Sequence, residues 1–288
     1  MKDSLILVLK GFFMGFANVI PGVSGGTIAL ILGIYEKFIG AISHFVSNLK
    51  ENMKFLIPIG IGMVLSIVLL SNVIDYSYKH APIPTCLFFV GLVIGGIPML
   101  FGKVKDKKDK KNISNYIILL MTFSLVIFMA CAELIFDMNL KVNLSNMSFS
   151  SYILLFLVGI IAAATMVIPG VSGSLVLMML GYYYPIISLI KDLASLNNIF
   201  NNMMVAGIFG VGVLVGIVLA AKLIEMLLKK FETKTYFGVL GFIFASIIAI
   251  PLSTYLEVNN LIFSIPQILI GIVVMVIGIL ISYKLGEK

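Results

Sequence analysis

The heptapeptide Val19-Ile20-Pro21-Gly22-Val23-Ser24-Gly25 returns unchanged, 148 positions later, as Val167-Ile168-Pro169-Gly170-Val171-Ser172-Gly173. Each copy lies inside a long apolar stretch, Leu5 to Phe45 in the first case and Tyr152 to Ile190 in the second. Proline has no amide hydrogen to give a helix, and glycines raise the entropic cost of holding one. Neither stretch can therefore be one regular helix; each reads as a helix, a break and a helix. In a bilayer core the backbone opened by such a break has no water to bond. It is tolerated only where protein buries it or where it lines a cavity.

A membrane setting follows from composition. Of 288 residues, 60% are hydrophobic and 11% charged, with a mean hydropathy of +1.14; a soluble domain carries about 25% charged residues. Six further apolar runs have the length of about 20 residues that crosses a bilayer: Lys54 to Asn72, Ile83 to Phe101, Tyr116 to Phe136, Ile199 to Ala221, Thr235 to Thr254 and Pro266 to Lys284. No polar segment is long enough to fold separately, so residues 1–288 read as a single transmembrane domain. Lys2 and the apolar run after it imitate a signal peptide, but Lys10 interrupts the run and no A-x-A site follows. Cys86 and Cys131 lie in apolar stretches without metal-ligand spacing, which argues against a disulfide framework or a zinc site. No metal and no cofactor is expected.

Lysine placement selects the topology. The arm from Leu5 to Ile20 has 16 residues, a reach of ~24 Å at ~1.5 Å per residue against a hydrocarbon core of ~30 Å. That suits a re-entrant hairpin whose tip stops inside the membrane. With both broken units as hairpins and a cytoplasmic N-terminus, 17 of the 20 lysines fall inside, including the six from Lys103 to Lys111; Lys79, Lys141 and Lys191 fall outside. Single crossings would put the Lys103–Lys111 loop outside, against the positive-inside bias. The chain reads as a multi-pass protein of the cytoplasmic membrane with both termini cytoplasmic. Its basic residues are then topology signals, and a nucleic-acid partner is not expected. Nothing in the sequence specifies an oligomeric state.

The repeat extends beyond the motif, pairing Gly11 with Gly159, Leu32-Gly33 with Leu180-Gly181 and Tyr35 with Tyr183. Repeat 1 covers about 4–136 and repeat 2 about 152–284. The expected fold is all-α and polytopic, each repeat being a re-entrant helical hairpin plus three transmembrane helices. Three crossings per repeat make the second copy enter the membrane inverted. Inverted repeats with Gly/Pro-interrupted segments in matching positions mark secondary transporters, whose substrates bind near the midplane.

Chemistry at the breaks points to an anion. After each Pro-Gly a helix starts near Ser24 or Ser172, so first-turn amides and the positive end of the helix dipole face the tip. All basic residues are lysines, and arginine, the usual bidentate anion holder, is absent; backbone amides must do most of the holding. The candidate substrate-binding residues are Asn18, Pro21, Gly22, Ser24, Gly25, Gly26 and Thr27 in the first copy. In the second they are Pro169, Gly170, Ser172, Gly173 and Ser174. The competing structural reading is that these residues simply let helices pack closely. Asn18, opposite Met166 in the other copy, either makes the half-sites unequal or makes a packing hydrogen bond. Lys10 and Glu36 lie about 15 Å from the tip along each arm, as candidate head-group or coupling residues. Lys10 also reads as a lysine snorkelling to the interface. Glu133, near a span end, is a further carboxylate candidate. His44, His80, Tyr35, Tyr116, Tyr152, Tyr182 and Tyr283 read as interfacial residues.

The stretch Lys10-Gly11, Met14-Gly15, Ala17-Asn18 and Ile20 to Lys37 (IPGVSGGTIALILGIYEK), with Val167 to Pro185 (VIPGVSGSLVLMMLGYYYP), resembles the signature of the bacterial polyprenyl-phosphate transporter family. The likeness covers essentially the whole chain. It implies translocation of undecaprenyl phosphate from the outer to the cytoplasmic leaflet, which returns the carrier lipid to cell-envelope synthesis, and no enzymatic reaction. Such a movement opposes an inside-negative potential by ~2.3 kcal/mol per charge per 100 mV, so a compensating cation is expected, a proton on the phosphate or on Glu36. A channel or exchanger for small anions is the alternative, since paired half-helices also build pores. A lipid phosphatase would need a nucleophile with charged partners that the chain does not present.

Overall fold

The computed structural model describes residues 2–18, 24–135, 142, 144, 147–194, 199–257 and 264–286. Among them are twelve helices and no strand. The first six are α1 (Lys2–Asn18), α2 (Gly25–Ile31), α3 (Tyr35–Ser43), α4 (Leu49–His80), α5 (Pro82–Lys105) and α6 (Ile113–Ile135). The next six repeat them in order: α7 (Phe149–Val167), α8 (Gly173–Met179), α9 (Tyr183–Ala194), α10 (Ile199–Lys230), α11 (Glu232–Glu257) and α12 (Ile265–Gly286). The six ordinary spans read from the sequence coincide with α4, α5, α6, α10, α11 and α12. Among the described residues seven helices are long and apolar enough to cross a membrane, α7 being the seventh. The chain is a polytopic membrane protein.

One expectation is corrected. Each broken unit is not helix–break–helix but carries a second interruption, between α2 and α3 and between α8 and α9; the latter pair bends by 109°. Gly33 (φ 68°) and Gly181 (φ 76°) occupy the left-handed region that stops a helix cheaply only at glycine. The Gly33 N–H donates to the Leu30 carbonyl and that of Ile34 to Ala29, both at 3.0 Å. Gly181 and Tyr182 make the same two bonds to Met178 and Leu177 at 2.9 Å. Both short helices thus end in a Schellman motif. The first arms differ in length: α1 has 17 residues, whereas α7 has 19 and is long enough to cross.

Helices pair in a pattern that exchanges partners between the halves. α1 packs on α4 and α7 on α10, whereas α5 packs on α12 and α11 on α6. Glycines set these contacts: a Cβ at Gly91 would meet Met275 and one at Gly95 would meet Ile279, so numbering rises together along α5 and α12. The same holds for Gly11 with Ile59 and Gly15 with Met63 along α1 and α4. Small residues let backbones approach where lipid offers no hydrophobic drive between helices. α5 and α11 are central, with 61% and 67% of their apolar windows buried against 17% for α12. The largest core cluster draws on both halves, from Met14, Ile28 and Phe89 to Leu240 and Ile243.

Candidate functional site

The two breaks meet in the protein interior. Ser24, buried, has extended backbone (φ −107°, ψ 134°) and caps α2, its hydroxyl oxygen accepting from the Gly26 N–H at 3.2 Å. The same hydroxyl has two acceptors from the other copy within reach, the carbonyls of Met166 and Ile168, both at 3.3 Å. Thr27, also buried, accepts at Oγ1 from the Gly170 N–H at 2.8 Å. The Tyr35 hydroxyl donates to the Val167 carbonyl at 3.2 Å. A Cβ at Gly26 would come within 2.9 Å of the Val167 oxygen, which requires glycine for this approach.

The second copy is held from behind by α11. Gly170 takes φ 81°, and its carbonyl accepts from the Ser246 hydroxyl at 3.1 Å. Pro169 is buried beside it. Ser172 caps α8, accepting from the Leu175 N–H at 3.5 Å, and its hydroxyl lies 2.8 Å from that of Ser174. Gly173 and Ser174 form the first turn of α8, with Gly173 packed against Met166 and Ala162.

Four of the candidate amide donors already have partners. Gly25 N–H donates to the Asn18 side-chain oxygen at 2.7 Å, Gly26 N–H to Ser24, Thr27 N–H to the Ser24 carbonyl and Gly170 N–H to Thr27. Buried amides must be paired, and Asn18, the Ser24 cap and the opposing copy pair these four. Asn18 therefore bridges the first break, joining the end of α1 to the start of α2. Pro21 and Gly22 lie outside the described residues, and so does the side chain of Glu133.

Lys10 is anchored within the protein. Its ammonium donates to the Leu32 carbonyl at 2.9 Å and so sits at the negative end of α2. Glu36 stands at the lysine-rich end, where Lys103 donates to its carboxylate at 2.8 Å and the Tyr236 hydroxyl donates to the same oxygen. The Lys103 hydrogen bond and then that of Tyr236 hold this carboxyl below the usual carboxylate range, against a smaller opposing effect of burial. Around it lies a cleft of about 290 Å³ lined by Leu30, Tyr35, Glu36, Lys37, Lys103 and Tyr236, among others. Lys107 pairs with Glu232 nearby, also joining the two halves. Tyr35 and Glu36 are adjacent, so the first turn of α3 touches the second tip with one side chain and this ion pair with the next.

The undecaprenyl phosphate translocase-like family model matches residues 14–265. The chain belongs to that family. A polyprenyl-phosphate transporter of Staphylococcus aureus (strain NCTC 8325 / PS 47) is 34% identical over 283 residues, 98% of this chain and 96% of the relative. A polyprenyl-phosphate transporter of Vibrio cholerae serotype O1 (strain ATCC 39315 / El Tor Inaba N16961) is 28% identical over 241 residues, 79% and 71% of the two chains. These relatives are transporters, not enzymes. No solved structure matches.

For this member of the translocase-like family, the interfacial assignment of Tyr35 and Tyr182 is corrected: both are buried, and Tyr35 reaches the opposite tip. His44 lies 3.3 Å from Glu225 of α10, and His80 stacks on Tyr76. Lys103 and Tyr236 are the site residues that sequence reasoning missed. Lys103 belongs to a run of lysines that reads as a topology signal, and Tyr236 is 200 positions from its partner Glu36. Neither leaves a local pattern.

Proposed function

We propose that this protein moves polyprenyl phosphate across the membrane, undecaprenyl phosphate being the form expected from the family, from the outer to the cytoplasmic leaflet for reuse in envelope synthesis. The observation that carries the reading is the bond between Thr27 and Gly170, which closes two helix-start breaks on each other in a buried centre. Two repeats of opposite orientation are supported by the exchanged pairing of α5 with α12 and α11 with α6, and by the shared direction of α5 and α12. Translocation then consists of parting the tips, which frees the Gly170 amide from Thr27 and the Ser24 hydroxyl from the Met166 and Ile168 carbonyls for the phosphate oxygens. The isoprenoid tail stays in lipid throughout.

Moving one negative charge inward costs ~2.3 kcal/mol per 100 mV. A proton on the phosphate is the simplest compensation, because Lys103 and Tyr236 keep Glu36 ionised. The test is uptake of labelled undecaprenyl phosphate by proteoliposomes under imposed gradients. Inward movement that responds to pH gradient and potential is the expected result. Chloride current without lipid movement would replace the reading with an anion channel.

A further inference from the structure

Three spans end together on the lysine-rich side: α5 at Lys105, α6 at Ile113 and α11 at Glu232. Their ends set the level at which hydrocarbon gives way to water. α5 and α6 both pack on α11, and a groove of about 890 Å³ lies among the three. Its walls are apolar and largely aromatic: the Phe101 and Phe244 ring centroids are 6.3 Å apart, and Tyr116 meets Phe237 edge-on at 5.3 Å. Gly102 lines it too, and a Cβ there would meet nothing within 4 Å. Phe101 and Tyr116 stay half exposed, so the groove opens outward. At this depth, outward means lipid chains.

The rim of the groove is basic. Lys105, Lys110 and Lys111 line it where the spans end. Their neighbours are engaged elsewhere: Lys103 holds Glu36, Lys107 holds Glu232, and Asp109 accepts from the Thr233 hydroxyl at 2.7 Å. Among the described residues no carboxylate pairs with Lys105, Lys110 or Lys111. Lys110 donates to the Lys105 carbonyl, which draws its ammonium towards the end of α5. The other half has no such rim, the positions offset by 148 being Ser253, Val258 and Asn259. Three cations without a carboxylate, set over an aromatic groove at the membrane boundary, match a phosphate carried on apolar chains.

We propose that the groove seats one anionic glycerophospholipid of the surrounding bilayer, with its phosphate among Lys105, Lys110 and Lys111 and a chain along Phe237, Leu240 and Phe244. This lipid is a resident and not the cargo. At about 3.6 residues per turn, Phe242 and Ser246 stand on the face of α11 turned away from Phe237, Leu240 and Phe244, and they are the residues that meet Gly170. The groove is therefore behind α11 as seen from the second tip. A lipid held there braces the helix that holds the tip.

Native mass spectrometry of the purified full chain tests it, titrating phosphatidylglycerol, phosphatidylcholine with the same chains, and undecaprenyl phosphate. A lysine near the membrane surface is worth about fivefold in affinity for an anionic lipid, so phosphatidylglycerol is expected to bind roughly tenfold or more tighter than phosphatidylcholine. Lys110→Gln/Lys111→Gln is expected to remove most of that preference and leave phosphatidylcholine unchanged. Gly102→Phe, which fills the groove, is expected to weaken both phospholipids. Lys50→Gln/Lys54→Gln removes two exposed lysines of α4 outside the groove and is expected to keep the native preference. Equal affinity for the two phospholipids, or native phosphatidylglycerol affinity in both groove variants, overturns the site. An equal loss in Lys50→Gln/Lys54→Gln reduces it to diffuse attraction and also overturns it. Undecaprenyl phosphate displacing phosphatidylglycerol at equal or lower concentration would give the groove to the cargo and overturn the resident lipid.

Discussion

Thr27 Oγ1 accepts a hydrogen bond of 2.8 Å from the amide of Gly170, 143 positions away and in the other copy of the motif. Both residues are buried, so the bond ties the two repeats together where water cannot replace it. Thr27→Val keeps the shape and leaves the Gly170 N–H unpaired. A loss of about 1–3 kcal/mol is expected, read as a lower melting temperature in detergent, with Thr27→Ser near native. Equal stability of all three would show that the bond carries nothing.

The left-handed turns at Gly33 and Gly181 should be equivalent. Any L residue there is strained by roughly 1–2 kcal/mol, so Gly33→Ala and Gly181→Ala are each expected to lower thermal stability by a similar amount. At Gly33 the nearest neighbour of an added Cβ is the tip of Met99 at 3.4 Å, so the loss is backbone strain and not a clash. Unchanged melting in either variant would refute the Schellman assignment.

Glycine contacts between central helices are less forgiving. A side chain at Gly95 would run into the Ile279 backbone at 2.4 Å, while Gly60 faces open space. Gly95→Leu is expected to abolish folded protein after extraction, and Gly60→Leu to yield native amounts. Size-exclusion profiles of both variants decide the matter.

Acid behaviour at the Glu36 cleft follows from the direction of the Glu36 shift. A carboxyl held low in the fold contributes stability above its ordinary range, and that contribution is lost as pH falls through the lowered value. Glu36 is ionised through the neutral range, so the pH profile of translocation between about 6 and 8 is expected to keep its shape in Glu36→Gln. A profile flattened by that substitution would make Glu36 the proton carrier.

Much of this architecture is readable in the sequence because it is local or periodic. The apolar runs gave six spans, the repeated heptapeptide located both breaks, and Ser24 and Ser172 are the caps their residue types suggest. The repeated Leu-Gly pair at 32–33 and 180–181 was visible, but its meaning as a helix stop depends on a positive φ that periodicity does not encode. Long-range polar contacts left no trace. Tyr35 with Val167, Lys10 with Leu32 and Lys103 with Glu36 are set by how the halves pack, and each residue alone fits a blander role at the interface. The occupied state of the Gly170 amide is likewise a property of the closed arrangement, since the oxygen that takes it comes from the other half.

Translocation of labelled undecaprenyl phosphate by proteoliposomes carrying the native protein, Gly25→Leu or Gly173→Leu tests the central claim most directly. A side chain at Gly25 would strike the Asn18 carboxamide at 2.7 Å, and one at Gly173 would strike Met166 at 2.4 Å, so each substitution disturbs one tip. With Thr27→Ser as the folded reference, each leucine variant that reconstitutes as a monodisperse protein is expected to lose at least tenfold in rate. Native rates in both would contradict the claim that the two breaks together carry the lipid head across.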